Sequence, residues 1–185
     1  MIDMRPALGL IEFRSIARGI MTCDFMMKKA PIELLEATPT CPGKFSVVVG
    51  GLVAPVESSM EVGLQIGGDQ IIDHLLIPQI HEGVFPAIRG TAEVEKLISL
   101  GVIETFSIAS CIIAADAAAK KANITLVEIR LARGLGGKAF VTLTGELYSV
   151  EAALGAGAAA IEESGMLTMT TIIPAPHERL SSVII

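Results

Sequence analysis

Tryptophan is absent from this chain, tyrosine occurs once, and the aromatics together make up only 4% of it. Lysine and arginine never cluster, and the formal net charge is −6. Binding to nucleic acid calls for a basic stripe and, for single strands, stacking rings, so the chain is not expected to take a nucleic-acid partner. Long hydrophobic runs are also missing. A membrane span needs about 18 consecutive apolar residues, and Asp24, Glu57, Asp69, Asp116, Glu128 and Glu151 interrupt each candidate run, so no membrane partner is expected. The three cysteines, Cys23, Cys41 and Cys111, are too few and odd in number for a disulfide framework. Residues 1–7 lack the basic, apolar and cleavage-site order of a secretory signal. A reducing cytoplasm is the expected compartment.

What the chain does have is aliphatic residues. Apolar types make up 51% against 18% charged, with a mean hydropathy of +0.62. Ile, Val, Ala and Gly supply the excess, which suits packed sheets and close subunit contacts. A length of 185 residues is one ordinary domain or two small ones. Small domains bury only about 60–70% of their unfolded surface, so burial against neighbours adds stability.

The sequence is written twice. At an offset of 92, LGLIEFRSIARGIMTCDFMMKKAPIELLE lies over LGVIETFSIASCIIAADAAAKKANITLVE, with 15 of 29 positions identical. The offset becomes 94 at Gly43-Lys44 over Gly137-Lys138, and 96 where Pro78 and His81 meet Pro174 and His177. Insertions belong in loops, so these steps mark turns before the Gly-Lys pair and before a fourth strand. A period this long describes a duplicated domain rather than a solenoid. The expected division is a first domain over residues 1–90, a linker over 91–99 and a second domain over 100–185, with a short helix at 92–96.

Each copy alternates strand and helix. Residues 8–13 read as a strand, and Ser15 is a good N-cap for a helix over 16–30 that sets Ile16, Ile20, Cys23 and Met27 on one face. Pro31 stops that helix. Residues 32–38 and 44–50 read as strands around a Pro/Gly turn, and a second helix starts near Pro55. Its inner face carries Val56, Met60, Gly63 and Gly67, matched by Val150, Leu154, Gly157 and Ile161. A strand over 71–77 and a short helix after His81 complete the copy. The order β-α-β-β-α-β-α is the split βαβ of a ferredoxin-like sandwich, an α+β fold in tandem.

Catalytic constellations do not emerge. Gly134-Leu135-Gly136-Gly137-Lys138 is followed by Ala139 rather than Ser or Thr, and a strand is expected next, so it is not a phosphate loop. His81 and His177 have no repeated Ser or Cys beside them, and helix-start hydrogen bonding is their expected role. Cys23 and Cys111 fall at non-equivalent helix positions and are expected as buried small apolar residues. No nucleophile–base set recurs, and the chain is not expected to be an enzyme.

Four elements recur in order at matched spacing: Gly-x-x-Glu (Gly9 to Glu12, Gly101 to Glu104), Asp-x-x-x-Lys-Lys-Ala (Asp24 to Ala30, Asp116 to Ala122), the Gly-Lys turn, and Ile-Pro-x-x-His. Through them the chain resembles the shell proteins of bacterial microcompartments, in their unpermuted tandem-domain form. Thr-Cys-Pro-Gly-Lys-Phe at 40–45 resembles the cysteine-bearing tandem subtype of propanediol-utilisation compartments. Many members carry Arg inside Pro-x-x-His, where this chain has Gln79-Ile80 and Ala175-Pro176.

The resemblance implies a homotrimeric pseudohexamer that joins other microcompartment shell proteins in a hexagonal sheet within the cytoplasm. It implies pore-lining turns at Thr40, Cys41, Pro42, Gly43 and at Gly134, Leu135, Gly136, Gly137. It implies a [4Fe–4S] cluster shared by three Cys41 thiolates, for electron transfer across the shell, with an encapsulated redox enzyme as a partner. Zinc, which also accepts thiolates, and a free pore thiol are the alternatives. Lys28, Lys120, His81 and His177 are the implied tile-edge contacts, although lysines at a helix end also complement its dipole. A different class, a tandem ferredoxin-like regulatory module binding a small molecule between its copies, is the competing reading.

Overall fold

The computed structural model describes residues 6–184; the first five residues, where the absence of a signal was read, lie outside them. The chain forms two compact units, one through Glu82 and one from Gly83 onward. The first holds β1 (Ala7–Phe13), α1 (Ile16–Lys29), β2 (Glu33–Thr40), β3 (Lys44–Gly51), α2 (Val53–Gly67) and β4 (Ile71–Ile77). The second holds α3 (Val84–Arg89), β5 (Ser99–Thr105), α4 (Ile108–Lys121), β6 (Thr125–Leu131), β7 (Ala139–Gly145), α5 (Leu147–Ala160), β8 (Leu167–Ile173) and α6 (Glu178–Ile184). Both sheets are antiparallel, ordered β2-β3-β1-β4 and β6-β7-β5-β8. These are the two α+β domains that the duplicated pattern predicts, and both offset changes fall in loops.

Local chemistry accounts for the boundaries. Ser15 and Ser107 accept the backbone N–H of Arg18 and Ser110, both at 3.2 Å, so both first helices are capped by their own serine. Ala30 leaves α1 in an extended conformation, as the residue before Pro31 must. The strand read as ending at 38 runs on through Pro39 to Thr40. β2 is an edge strand, where a proline costs no ladder hydrogen bond. Pro55 is the third residue of α2 rather than its first, still within the turn whose N–H groups have no helical partner.

Two expectations are corrected. Residues 92–96 form no helix. Five residues are too few to repay helix nucleation, and the irregular path lets Val94 pack on a cluster of Leu97, Leu100 and Val127. The stripe Ile16, Ile20 and Met27 is not the core face of α1. Gly19, Thr22, Cys23 and Met26 are buried instead. Cys23 and Met26 join Ile11, Phe13, Phe45, Val47 and Val49 of the sheet with Val56 and Met60 of α2. Gly19 sits where a Cβ would lie 2.5 Å from the Phe45 ring, so the small side of the helix faces inward. Apart from buried Met26, the large side chains Ile16, Ile20, Met21, Phe25 and Met27 are left exposed.

In the second unit the first-helix counterpart is covered more completely. Ile108, Ile112 and Ala119 of α4, the counterparts of Ile16, Ile20 and Met27, are all buried. Here α3, which closes the first repeat in sequence, packs along β6 and touches α4.

Candidate functional site

The β2–β3 hairpin carries the cysteine that the sequence singles out. Thr40 pairs with Lys44 at the end of the ladder, leaving Cys41, Pro42 and Gly43 as a three-residue loop. Gly43 holds φ at 77°, a left-handed value that suits glycine in such hairpins. A Cβ at Gly43 would meet nothing within 4 Å. The tip therefore stands in open space, with Cys41 half-exposed and Pro42 and Gly43 exposed. Thr40 is buried instead, and its hydroxyl has no hydrogen-bond partner among the described residues.

The equivalent turn, after β6, is longer. Gly134, Gly136 and Gly137 take positive φ values of 70°, 62° and 92°, and the Lys138 N–H donates to the Leu135 carbonyl at 3.1 Å. β7 follows directly, so no helix N-terminus completes a phosphate loop. Leu135 and Gly137 are half-buried, whereas Gly134 and Gly136 are exposed.

Beneath each turn lies a pair that sequence reasoning quoted as two separate elements. Lys44 Nζ reaches Glu12 at 3.5 Å, and Lys138 Nζ reaches Glu104 at 2.7 Å. Lys138 also stands 5.4 Å above the Phe106 ring. Burial pushes the Glu12 carboxyl above the ordinary carboxylate range; Lys44 pulls it back down, and Asp73 pushes it further up. The recurrence of both residues in both copies was the available signal. Their roughly 30-residue separation in sequence concealed the contact.

The other thiols are unsuited to metal. Cys23 and Cys111 are buried. Burial raises the Cys23 thiol, with Asp24 adding to the effect. Burial also pushes Cys111 up to about 12, against a smaller lowering by the Thr105 hydroxyl. Thiolates are the metal-binding form, so Cys41 is the better-placed ligand. No three His, Cys, Asp or Glu side chains among the described residues gather to hold a metal within one chain. Of the three thiols, a single chain thus offers one that is accessible, Cys41.

At the far end of the first helices, Lys28 pairs with Asp24 and Lys120 with Asp116, each at 2.6 Å one turn apart. His81, in the segment that follows β4, is half-buried. His177 Nδ1 accepts the Arg179 N–H at 3.2 Å, at the start of α6. The two turns and the first-helix lysines therefore lie on different elements of each unit.

Comparison with known proteins adds to this geometry. The BMC domain family matches the chain twice, over residues 7–80 and 99–176. The bacterial microcompartment shell protein PduT of Citrobacter freundii is 40% identical over 177 residues, 96% of this chain and 96% of its own length. The shell protein PduA of the same organism is 36% identical over 87 residues, covering 46% of this chain and 90% of its own. Matching half the chain is what a single-domain relative of a duplicated protein should do. The crystal structure of a microcompartment protein from Desulfitobacterium hafniense DCB superposes with a TM-score of 0.93 at 46% identity, covering 96% of this chain and 98% of that one. The chain belongs to the BMC domain family. Within it, the chain is a tandem-domain shell protein of a bacterial microcompartment, similar to PduT.

Proposed function

We propose that three copies of this chain close a ring of six similar domains, a tile with a central opening, where three Cys41 thiolates hold a [4Fe–4S] cluster. The observation that carries the ring is the unequal burial of two equivalent helix faces. Ile16 and Ile20 of α1 are 39% and 57% exposed, whereas Ile108 and Ile112 of α4 are 1% and 0% exposed. Nearby Met21, Phe25 and Met27 are exposed as well. Every chain therefore has one such face closed and one open. A heterologous contact that closes the open face on the next chain generates a ring. With two domains per chain, three chains supply six.

The cluster reading rests on Cys41 being the accessible thiol, on a hairpin tip that nothing in its own unit crowds. Three symmetry-related sulfurs match thiolate ligation of such a cluster and leave one iron to an external ligand. When bound, the cluster supplies one-electron transfer between the two sides of the shell, with an encapsulated redox enzyme on one side. The chain's own part is positional. Gly43 permits the tight turn, and the Glu12–Lys44 pair anchors its base. Lys28 and Lys120, with His81 and His177, form the edges by which tiles join other shell proteins in a hexagonal sheet.

Anaerobically purified and reconstituted protein should show the broad visible absorption of an iron–sulfur cluster, with iron and sulfide in equal amounts. Cys41→Ser should lose both and remain a trimer, while Cys23→Ala and Cys111→Ala should keep them. A reconstituted wild-type trimer without iron would overturn the cluster and leave the ring intact.

A further inference from the structure

Each copy of the repeat ends in a short helix, and the two helices are unequally seated. α3 and α6 follow Pro78-x-x-His81 and Pro174-x-x-His177 at the same spacing, so Val84, Ala87 and Ile88 correspond to Leu180, Val183 and Ile184. The three residues of α3 are buried, Val84 and Ala87 completely. Of their counterparts in α6, Leu180 and Ile184 lie half-buried against the cluster of Leu97, Leu100 and Val127, while Val183 is 78% exposed. A gap of about 230 Å³ remains beside Val183 and Ile184, walled by Val127, Glu128 and Arg130 of β6. α6 thus has an apolar face that its own unit fills incompletely.

The seat of α3 shows what such a face is for. α3 packs along β6 and touches α4, and β6 buries Leu126, Val127, Ile129 and Leu131. At the same places on β2, Leu34 and Leu35 are half-buried, and Ala37 and Pro39 are exposed. The first helices differ in the same sense, with Ile108 and Ile112 of α4 buried and Ile16 and Ile20 of α1 exposed. Among the described residues, no helix other than α1 packs along β2. The first unit therefore presents the same strand and helix without a closing helix upon them. Ile16, Ile20, Met21, Phe25 and Met27 together expose roughly 400–500 Å² of side chain, about half of one partner's share in a standard interface. Each chain thus holds two seats and two closing helices. α3 fills the seat of the second unit, which leaves the other for a helix of another chain.

We infer that α6 of one chain docks through Leu180, Val183 and Ile184 on β2 and α1 of the next chain, repeating the packing of α3 on β6 and α4. The inference rests on the ring of three chains proposed above and names the segment that closes each of its contacts. Three α6 helices meet three open seats, so the contact is heterologous and closes on itself.

Cross-linking of the full-length protein tests this. Ala37 and Val183 are both exposed, and their counterparts Ile129 and Ala87 are buried on β6 and α3, the elements that already pack together. A Cys41→Ser background removes the accessible native thiol. In it, Ala37→Cys with Val183→Cys, treated with a short bismaleimide, should give covalent dimers and trimers on a denaturing gel, and either cysteine alone should give none. Light scattering of the same samples separates this inference from the reading beneath it. A particle of single-chain mass would overturn the ring, whereas a trimer without interchain products would overturn the α6 seat alone. Val183→Asp, at a position exposed within its own chain, should leave the unfolding transition in place. It should raise the concentration at which the trimer half-dissociates by about tenfold or more. Dissociation at the wild-type concentration would likewise overturn the seat.

Discussion

Gly63 and Gly157 stand at equivalent places on α2 and α5, yet they should not tolerate the same substitution. A Cβ at Gly63 would fall 2.6 Å from Ile11 Cδ1 and 2.8 Å from Met26 Sδ, the mobile ends of two side chains. A Cβ at Gly157 would fall 2.6 Å from Ile103 Cδ1 and 2.8 Å from the Ala114 carbonyl oxygen, which is backbone. Methionine repacks readily, and alanine is the better helix former by about 1 kcal/mol. Gly63→Ala should therefore be nearly neutral. Gly157→Ala must push α5 away from α4, and overpacking of that kind costs about 1–3 kcal/mol. Urea midpoints of the two variants measure the difference; equal midpoints would show that the α4–α5 approach is softer than its distances imply.

Among the elements, the first helix of each copy depends on its cap. Ser15 satisfies the Arg18 N–H across 3.2 Å, with no acidic residue in the first turn of α1 to share the work. Ser15→Ala should cost about 1 kcal/mol, read as a drop in the denaturant midpoint at unchanged slope. Ser15→Asp should recover most of it, because aspartate caps and favours the positive end of the dipole. Those capped boundaries were legible in the sequence because capping chemistry is local. So was the duplicated strand–helix order, since repetition doubles a weak pattern. What was not legible depended on neighbours distant in sequence. The Glu12–Lys44 and Glu104–Lys138 pairs join β1 to β3 and β5 to β7. Periodicity placed Ile16, Ile20 and Met27 on one face, but did not show that Gly19 would turn the opposite side toward Phe45. The continuation of β2 through Pro39 follows from its edge position, which sheet order alone reveals.

For the molecule as a whole, that outward stripe is the feature to test, because a folded chain gains nothing by exposing Ile20 and Phe25 to water. Exposed apolar patches of this kind mark contact surfaces. Ile20 is 57% exposed and its counterpart Ile112 fully buried, so one substitution should have two outcomes. Ile20→Asp leaves the core of its own unit untouched and should change the stability of that unit by less than about 1 kcal/mol. It places a charge in the proposed ring contact, where an unpaired buried carboxylate is costly. Light scattering at about 10 µM, a concentration at which a specific interface holds together, should then report a particle of 19.4 kDa instead of three times that mass. Ile112→Asp puts the same charge into a site already closed within the chain, and should abolish the cooperative unfolding transition itself. An Ile20→Asp protein that still runs as a trimer would place the ring contact elsewhere, and the exposed stripe would need another occupant.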